Sequence, residues 1–239
     1  SCFGKADGEI AVTIAGGTVA GDYSYTWTAS NGGVIPAGQV NNEDQTGLTA
    51  GTYNVEVADD TGCTINRTWT LLEPAVLDVV ESISNFNGVG VSCFGANDGR
   101  IEIAINGGTK FVGGDHSDSY NIAWSTVDGA GLVAGDKVLV QDNLAPGTYK
   151  VVVIDANGCR EEEDYIINEP VALSETSAIP LINGFNVTCS GGNDGSINVT
   201  PAGGTVAGNY IYNWTQTAGA SGIVAGDNGN QTGLTAGTY

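Results

Sequence analysis

Residues 144–159 read Leu-Ala-Pro-Gly-Thr-Tyr-Lys-Val-Val-Val-Ile-Asp-Ala-Asn-Gly-Cys. Tyr149, Val151 and Val153 alternate with Lys150 and Val152. A period of two is the mark of a β-strand that buries one face. Pro146-Gly147 before it and Asn157-Gly158 after it are turn formers, so the strand is bounded on both sides. Gly-Thr-Tyr following a Leu has the form of a tyrosine corner, in which a Tyr opening a late sandwich strand bonds back across a sharp turn.

The same reading extends outward from this stretch. Ile101, Ile103 and Ile105 alternate with Glu102 and Ala104, and Ile10, Val12 and Ile14 do the same near the start of the chain. Asn97-Asp98-Gly99 and Asn106-Gly107-Gly108 punctuate the runs. No stretch carries a 3.6-residue apolar period. The chain is therefore expected to be all-β.

The pattern is repeated. Ser1-Cys2-Phe3-Gly4 returns as Ser92-Cys93-Phe94-Gly95 and, more loosely, as Thr188-Cys189-Ser190-Gly191. At fixed offsets follow Asp7-Gly8, Asp98-Gly99 and Asp194-Gly195, then Gly16-Gly17-Thr18, Gly107-Gly108-Thr109 and Gly203-Gly204-Thr205. Next come Tyr23-x-Tyr25-x-Trp27, Tyr120-x-Ile122-x-Trp124 and Tyr210-x-Tyr212-x-Trp214. Leu-x-x-Gly-Thr-Tyr closes each series, at Leu48–Tyr53, Leu144–Tyr149 and Leu234–Tyr239. The first two copies continue into Asp-x-x-Gly-Cys (Asp59–Cys63, Asp155–Cys159) and Glu-Pro (Glu73-Pro74, Glu169-Pro170).

The first cysteines are 91 and then 96 positions apart (93 − 2 and 189 − 93). That is too long for a solenoid unit of ~20–50 residues and right for a small domain of ~100. The extra residues of the middle copy fall around Lys110–Ser119, a surface-loop position. About seven strands per copy, with turns at this spacing, argue tandem Ig-like β-sandwich modules. Leu77–Ser84 and Val89–Ser92 read as strands that open a module. On that register 1–74 is a module lacking its first strands, 75–170 is complete, and 171–239 stops before its last strands. The expectation is a window onto a longer array.

Composition narrows the function. Of 239 residues, 7 are Lys or Arg and 27 are Asp or Glu, giving a net charge of −20. Scattered cations in so anionic a chain make no patch for nucleic-acid phosphate or an anionic membrane. No apolar run is long enough to span a bilayer, and without a basic stretch followed by an apolar one at its start no signal peptide is expected within these residues. Gly is 37 of 239 without a three-residue period, which excludes collagen. Met is absent, another sign of a piece or a processed form.

Five cysteines are present. Pairing by copy joins Cys2 to Cys63 and Cys93 to Cys159, leaving Cys189 without a partner. Each such bridge would contribute about 4 kcal/mol on the chain-entropy account. Buried free thiols are the alternative reading. A metal site is disfavoured, because there is no C-x-x-C and the single His116 lies in the loop insertion. Disulfides would place the protein in an oxidising extracellular compartment.

The ordered set of motifs resembles the SprB-repeat family, found in very large surface adhesins of Bacteroidetes. The resemblance covers nearly the whole chain, and the fixed order makes it specific although each short motif is weak. Cys-Ser-Gly in the third copy departs from Cys-Phe-Gly. The resemblance implies an Ig-like module of a cell-surface adhesin exported by type IX secretion, in gliding species moved along the surface to pull the cell. It supplies no catalytic residue.

Catalysis is not expected: one unrepeated His gives no shared base, and no G-x-S-x-G or P-loop is present. Asp98 and Asp155, with carbonyls of Asn97 and Asn157, form a candidate Ca²⁺ site if a Cys93–Cys159 bridge draws them together; Asp7 with Asp59 or Asp60 are the equivalents in copy one. Simple turn formation is the plainer reading, and no other cofactor is expected. Glu161-Glu162-Glu163-Asp164 reads as a solvated edge strand resisting aggregation, with cation binding or repulsion between filaments as alternatives. Tyr23, Tyr25 and Trp27 share one face, read as core rather than as a sugar platform. Asn213-Trp214-Thr215 is a sequon, but that logic is eukaryotic.

The leading functional reading is a repeated structural stalk with neighbouring repeats of the same chain as partners. The alternatives are a weak glycan- or surface-binding module acting by avidity, or a filament subunit completed by a donated strand. No nucleic-acid partner and no membrane insertion are expected.

Overall fold

The computed structural model describes residues 1–18, 20–112, 119–133, 138–226 and 228–239. All regular structure among them is β, in antiparallel pairs. Copy one holds β1 (Gly8–Ile10), β2 (Ser24–Ser30), β3 (Gln45–Leu48), β4 (Gly51–Ala58) and β5 (Thr64–Leu71). Copy two holds β6 (Asp78–Ile83), β7 (Gly99–Asn106), β8 (Asn121–Thr126), β9 (Val140–Leu144), β10 (Gly147–Ile154) and β11 (Arg160–Ile167). Copy three holds β12 (Ser174–Ala178), β13 (Gly195–Ala202) and β14 (Asn230–Leu234).

Copy two shows the architecture most fully. Its sheets are ordered β6-β7-β9 and β8-β10-β11. These stand where strands A, B, E and C, F, G lie in an Ig sandwich. The alternation read from sequence sets the faces. Ile101, Ile103 and Ile105 of β7 oppose Tyr149, Val151 and Val153 of β10, and all six are buried in one core with Ile122, Leu144, Tyr165 and Ile167. Each large side chain withdrawn from water contributes roughly 2 kcal/mol. The fold is all-β and Ig-like, as expected. Six strands are described in this copy where turn spacing suggested about seven. Residues 89–92 form no strand: Phe86 and Val89 close a two-residue Asn87-Gly88 turn, and Gly90 and Val91 donate to the carbonyl of Asn168. Asn-Gly favours that tight reversal.

Each copy carries the tyrosine corner. Tyr53, Tyr149 and Tyr239 donate to the carbonyls of Thr49 (2.7 Å), Ala145 (2.6 Å) and Thr235 (2.8 Å). The corner Tyr is fully buried in copies one and two. The Trp of the aromatic alternation also donates in every copy, from Trp27 to Asn42, Trp124 to Val138 and Trp214 to Asn228. Tyr25 and Trp27 are buried in the copy-one core, so that face is packing rather than platform. Burial, with Glu43 next in effect, pushes the Tyr25 hydroxyl up to about 12.

The acidic run lies on β11, at the edge of its sheet. Lys150 on β10 reaches Glu162 (3.2 Å) and Asp164 (3.5 Å), and Arg160 pairs with Glu162. Unlike a bare edge, this one presents charge to any incoming strand.

Candidate functional site at the junction between copies

The first cysteine of each copy opens a tight turn. Lys5, Ala96 and Gly192 donate their N–H groups to the carbonyls of Cys2 (3.1 Å), Cys93 (3.0 Å) and Cys189 (2.9 Å). The Gly that follows two positions on sits at positive φ (Gly4 +71°, Gly95 +72°, Gly191 +77°), where a side chain is strained. The Glu of Glu-Pro holds this turn. Glu73 accepts from Gly4 N at 2.6 Å and Glu169 from Gly95 N at 2.8 Å. The first cysteine thus sits at the exit end of its copy, beside the strand that leaves.

The second cysteine sits at the other end. Asp155 builds its turn: one carboxylate oxygen accepts from Asn157 N (2.9 Å) and Cys159 N (2.8 Å), the other from Thr109 N (2.7 Å). Asp59 does the same with Thr61, Cys63 and Thr18 N, all at 2.9 Å. The Thr18 N–H, followed by Thr61 and Cys63, pulls the Asp59 carboxyl down to about 2. The Gly-Gly-Thr loop beneath this turn rests on the entering chain, with Gly108 N donating to Ala75 O at 2.9 Å. A Cβ on Gly107 would lie 1.7 Å from Val76 O, so the first Gly is required by close approach. Tyr120 donates to the Gly107 carbonyl at 2.7 Å and fixes the loop.

This geometry overturns pairing by copy. Cys2 is bonded to Cys159, with Cα atoms 5.5 Å apart, across the junction of copies one and two. Neither Cys2–Cys63 nor Cys93–Cys159 forms; Cys63, Cys93 and Cys189 are exposed thiols. The cause is the hairpin β10–β11. Ile154 pairs with Arg160 at the entry end and Gly147 with Ile167 at the exit end, eight pairs along. Strands of that length separate the two ends by roughly 25 Å, and a disulfide needs Cα atoms within about 7 Å. The exit end of one copy, however, meets the entry end of the next.

Polar contacts recur at both junctions. Asn157 donates one side-chain amide to Ser1 O and to Thr109 Oγ1, each at 2.8 Å. Thr205, the counterpart of Thr109, donates to Ser92 O at 2.8 Å, and Asn87 donates to Val206 O at 2.6 Å. The carbonyl just before the first cysteine is the acceptor in both cases.

The acidic candidates are dispersed by the same arrangement. Asp98 accepts from Ser92 N at 3.0 Å near the exit end, and those Ser92 hydrogen bonds lower its pKa. Asp155 lies at the entry end, and the bridge invoked to join the two goes elsewhere. Asp60 accepts from Ala20 N and Gly21 N. No group of three or more His, Cys, Asp or Glu is arranged to hold a metal among the described residues. His116 lies outside them.

One repeated feature was not anticipated. Gln45, Gln141 and Gln231 are almost wholly buried, each three positions before the Leu that precedes Gly-Thr-Tyr. Gln141 and Gln231 each accept from and donate to one backbone position, Val133 and Val224. Gln45 donates to Gln39 O at 2.7 Å. The fixed offset was the available signal.

No curated protein matches the chain. Among solved structures, one described as "Structure of amphioxus IgVJ-C2 molecule" aligns at 12% identity and a TM-score of 0.30, covering 69% of this chain and 97% of that one. No described helix is long and apolar enough to cross a membrane. Both the first and the third copies contribute a Cys turn, Asp-Gly, Gly-Gly-Thr and Tyr-x-Tyr-x-Trp to the stretches that a family model recognises, and this chain accordingly matches the SprB repeat at residues 1–32 and 185–219.

Proposed function

We propose that this chain is a structural segment of a large secreted cell-surface adhesin, an extended stalk that supports surface adhesion and, in a gliding cell, motility. One observation carries the reading. The chain exposes 13998 Å². A single compact body of its 24.3 kDa would expose roughly 10,000 Å². Two separate small cores, with a third copy that leaves its aromatic run partly exposed, account for that surplus. The family match supports a cell-surface repeat module, and SprB repeats and Ig-like sandwiches are structural domain types. The acidity keeps parallel arrays apart and soluble.

The test is binding by the whole chain to a panel of glycans and abiotic surfaces, with and without Ca²⁺. A spacer gives no saturable binding in either condition. Saturable binding at one defined site overturns the stalk reading and makes the repeat a receptor-type module.

A further inference from the structure

We infer that consecutive copies are locked in series, the first cysteine of each copy bonding the second cysteine of the next, so that Cys93 is placed to take the second cysteine of copy three and Cys63 the first cysteine of another copy. This holds for a spacer and for a binding array alike.

Five observations converge. Cys2–Cys159 is one realised case of the rule. Cys93 occupies the same turn as Cys2, with the same Glu cap, at the second junction. There Thr205 contacts Ser92 O, as Asn157 beside Thr109 contacts Ser1 O at the first. A cleft opens beside the Cys93 thiol, lined by Ser92, Cys93, Phe94, Leu173, Gly204 and Thr205. In copies two and one the corresponding ground is held by the Asp155–Cys159 and Asp59–Cys63 turns: a Cβ on Gly108 would meet Asp155 Oδ2 at 3.0 Å, and one on Gly17 would meet Asp59 Oδ2 at 2.9 Å. The cleft therefore fits an Asp-x-x-Gly-Cys turn. Cys63, at an entry end, is exposed and presents the complementary half.

The chemistry is an oxidation. Two S–H bonds break and one S–S bond forms. Two protons and two electrons pass to a disulfide oxidant, such as oxidised glutathione, whose own S–S bond is cleaved to two thiols.

The first measurement uses the chain itself, oxidised with a glutathione redox pair, denatured without reductant and treated with maleimide. Three cysteines, Cys63, Cys93 and Cys189, are expected as maleimide or glutathione adducts, with a cross-linked peptide joining Cys2 and Cys159. A single adduct on Cys189, with Cys2–Cys63 and Cys93–Cys159 peptides, overturns the rule. The second measurement continues the chain past Tyr239 with the sequence of residues 150–170, which brings a second cysteine to copy three. The Cys93 adduct should vanish into a bond with that cysteine. An added cysteine bonded to Cys189, or left free beside an alkylated Cys93, overturns the rule. Should the extended chain misfold, the adduct count on the original chain still decides.

Discussion

Tyr120–Trp124 and Tyr210–Trp214 carry nearly the same aromatic alternation and have different structures. In copy two the stretch contributes to β8, pairs with β10 from Tyr149↔Thr126 to Ile154↔Asn121, and buries Tyr120 and Ile122. In copy three residues 210–214 form no strand, and Tyr212 and Trp214 stay partly exposed. The counterpart of β10, which starts at Gly147, would start at Gly237, and only its first three residues, to Tyr239, are in the sequence. Copy one repeats the contrast: β1 is three residues long where its counterpart β7, flanked by β6 and β9, is eight. Alternation makes a segment competent for a sheet, and a cross-strand neighbour makes it a strand.

Hydrogen exchange gives the widest separation. Backbone amides of Ala123 and Ser125, which face β10, should exchange only through opening of the copy-two core, while those of their counterparts Asn213 and Thr215 exchange near the unprotected rate, the two ends of the range found within one protein. Equal protection in both stretches would break the comparison. Next comes Tyr149→Ala, expected to cost about 4 kcal/mol of copy-two stability through the lost ring and its bonds to Ala145 and Ala130. Tyr239→Ala should cost about 1 kcal/mol. Denaturant unfolding followed by Trp fluorescence reads both.

Gly107→Ala and Gly16→Ala sharpen the contrast between copies one and two. Both sites have positive φ, +66° and +92°. A Cβ at Gly107 collides with Val76 O, whereas one at Gly16 meets nothing within 4 Å. The first change should cost more than about 3 kcal/mol and the second only the left-handed backbone penalty of about 1–2. The smallest effect is acid sensitivity. Asp59 falls from an ordinary 3.8 to about 2 on folding, so its hydrogen bonds stabilise copy one above pH 4 and are lost as pH drops from 4 through 2. Asp59→Asn should flatten that part of the acid-unfolding curve; an unchanged curve would show that Asp59 takes no part in it.

Much of this was readable beforehand for a definite reason. Ile101–Ile105 and Tyr149–Val153 state which face is buried, and Leu-x-x-Gly-Thr-Tyr states where the corner turns, because each depends on neighbours in sequence. The cysteine pairing depends on which ends of a folded copy they occupy. Cys93 and Cys159 share a copy and lie at opposite ends of it, so counting by copy pairs the wrong sulfurs. Glu73 and Glu169 were visible as Glu-Pro, yet their role as caps appears only once Gly4 and Gly95 are in space. Asp98 and Asp155 were read together through a bridge that the topology does not make. Gln45, Gln141 and Gln231 kept their offset in plain view, and polarity argued against looking for them in a core.

Two covalent routes cross the first junction: the peptide chain through Glu73-Pro74 and the Cys2–Cys159 bond. Under a pulling load the second route is the shorter by far. It bypasses 157 residue steps. At ~3.4 Å per extended residue, more than 500 Å of contour length is withheld from the tether. Copies caught inside that loop can lose their fold without lengthening it, so under tension residues 2–159 add almost no length until the sulfur bridge is reduced, and any extension comes from residues 160–239 beyond the loop.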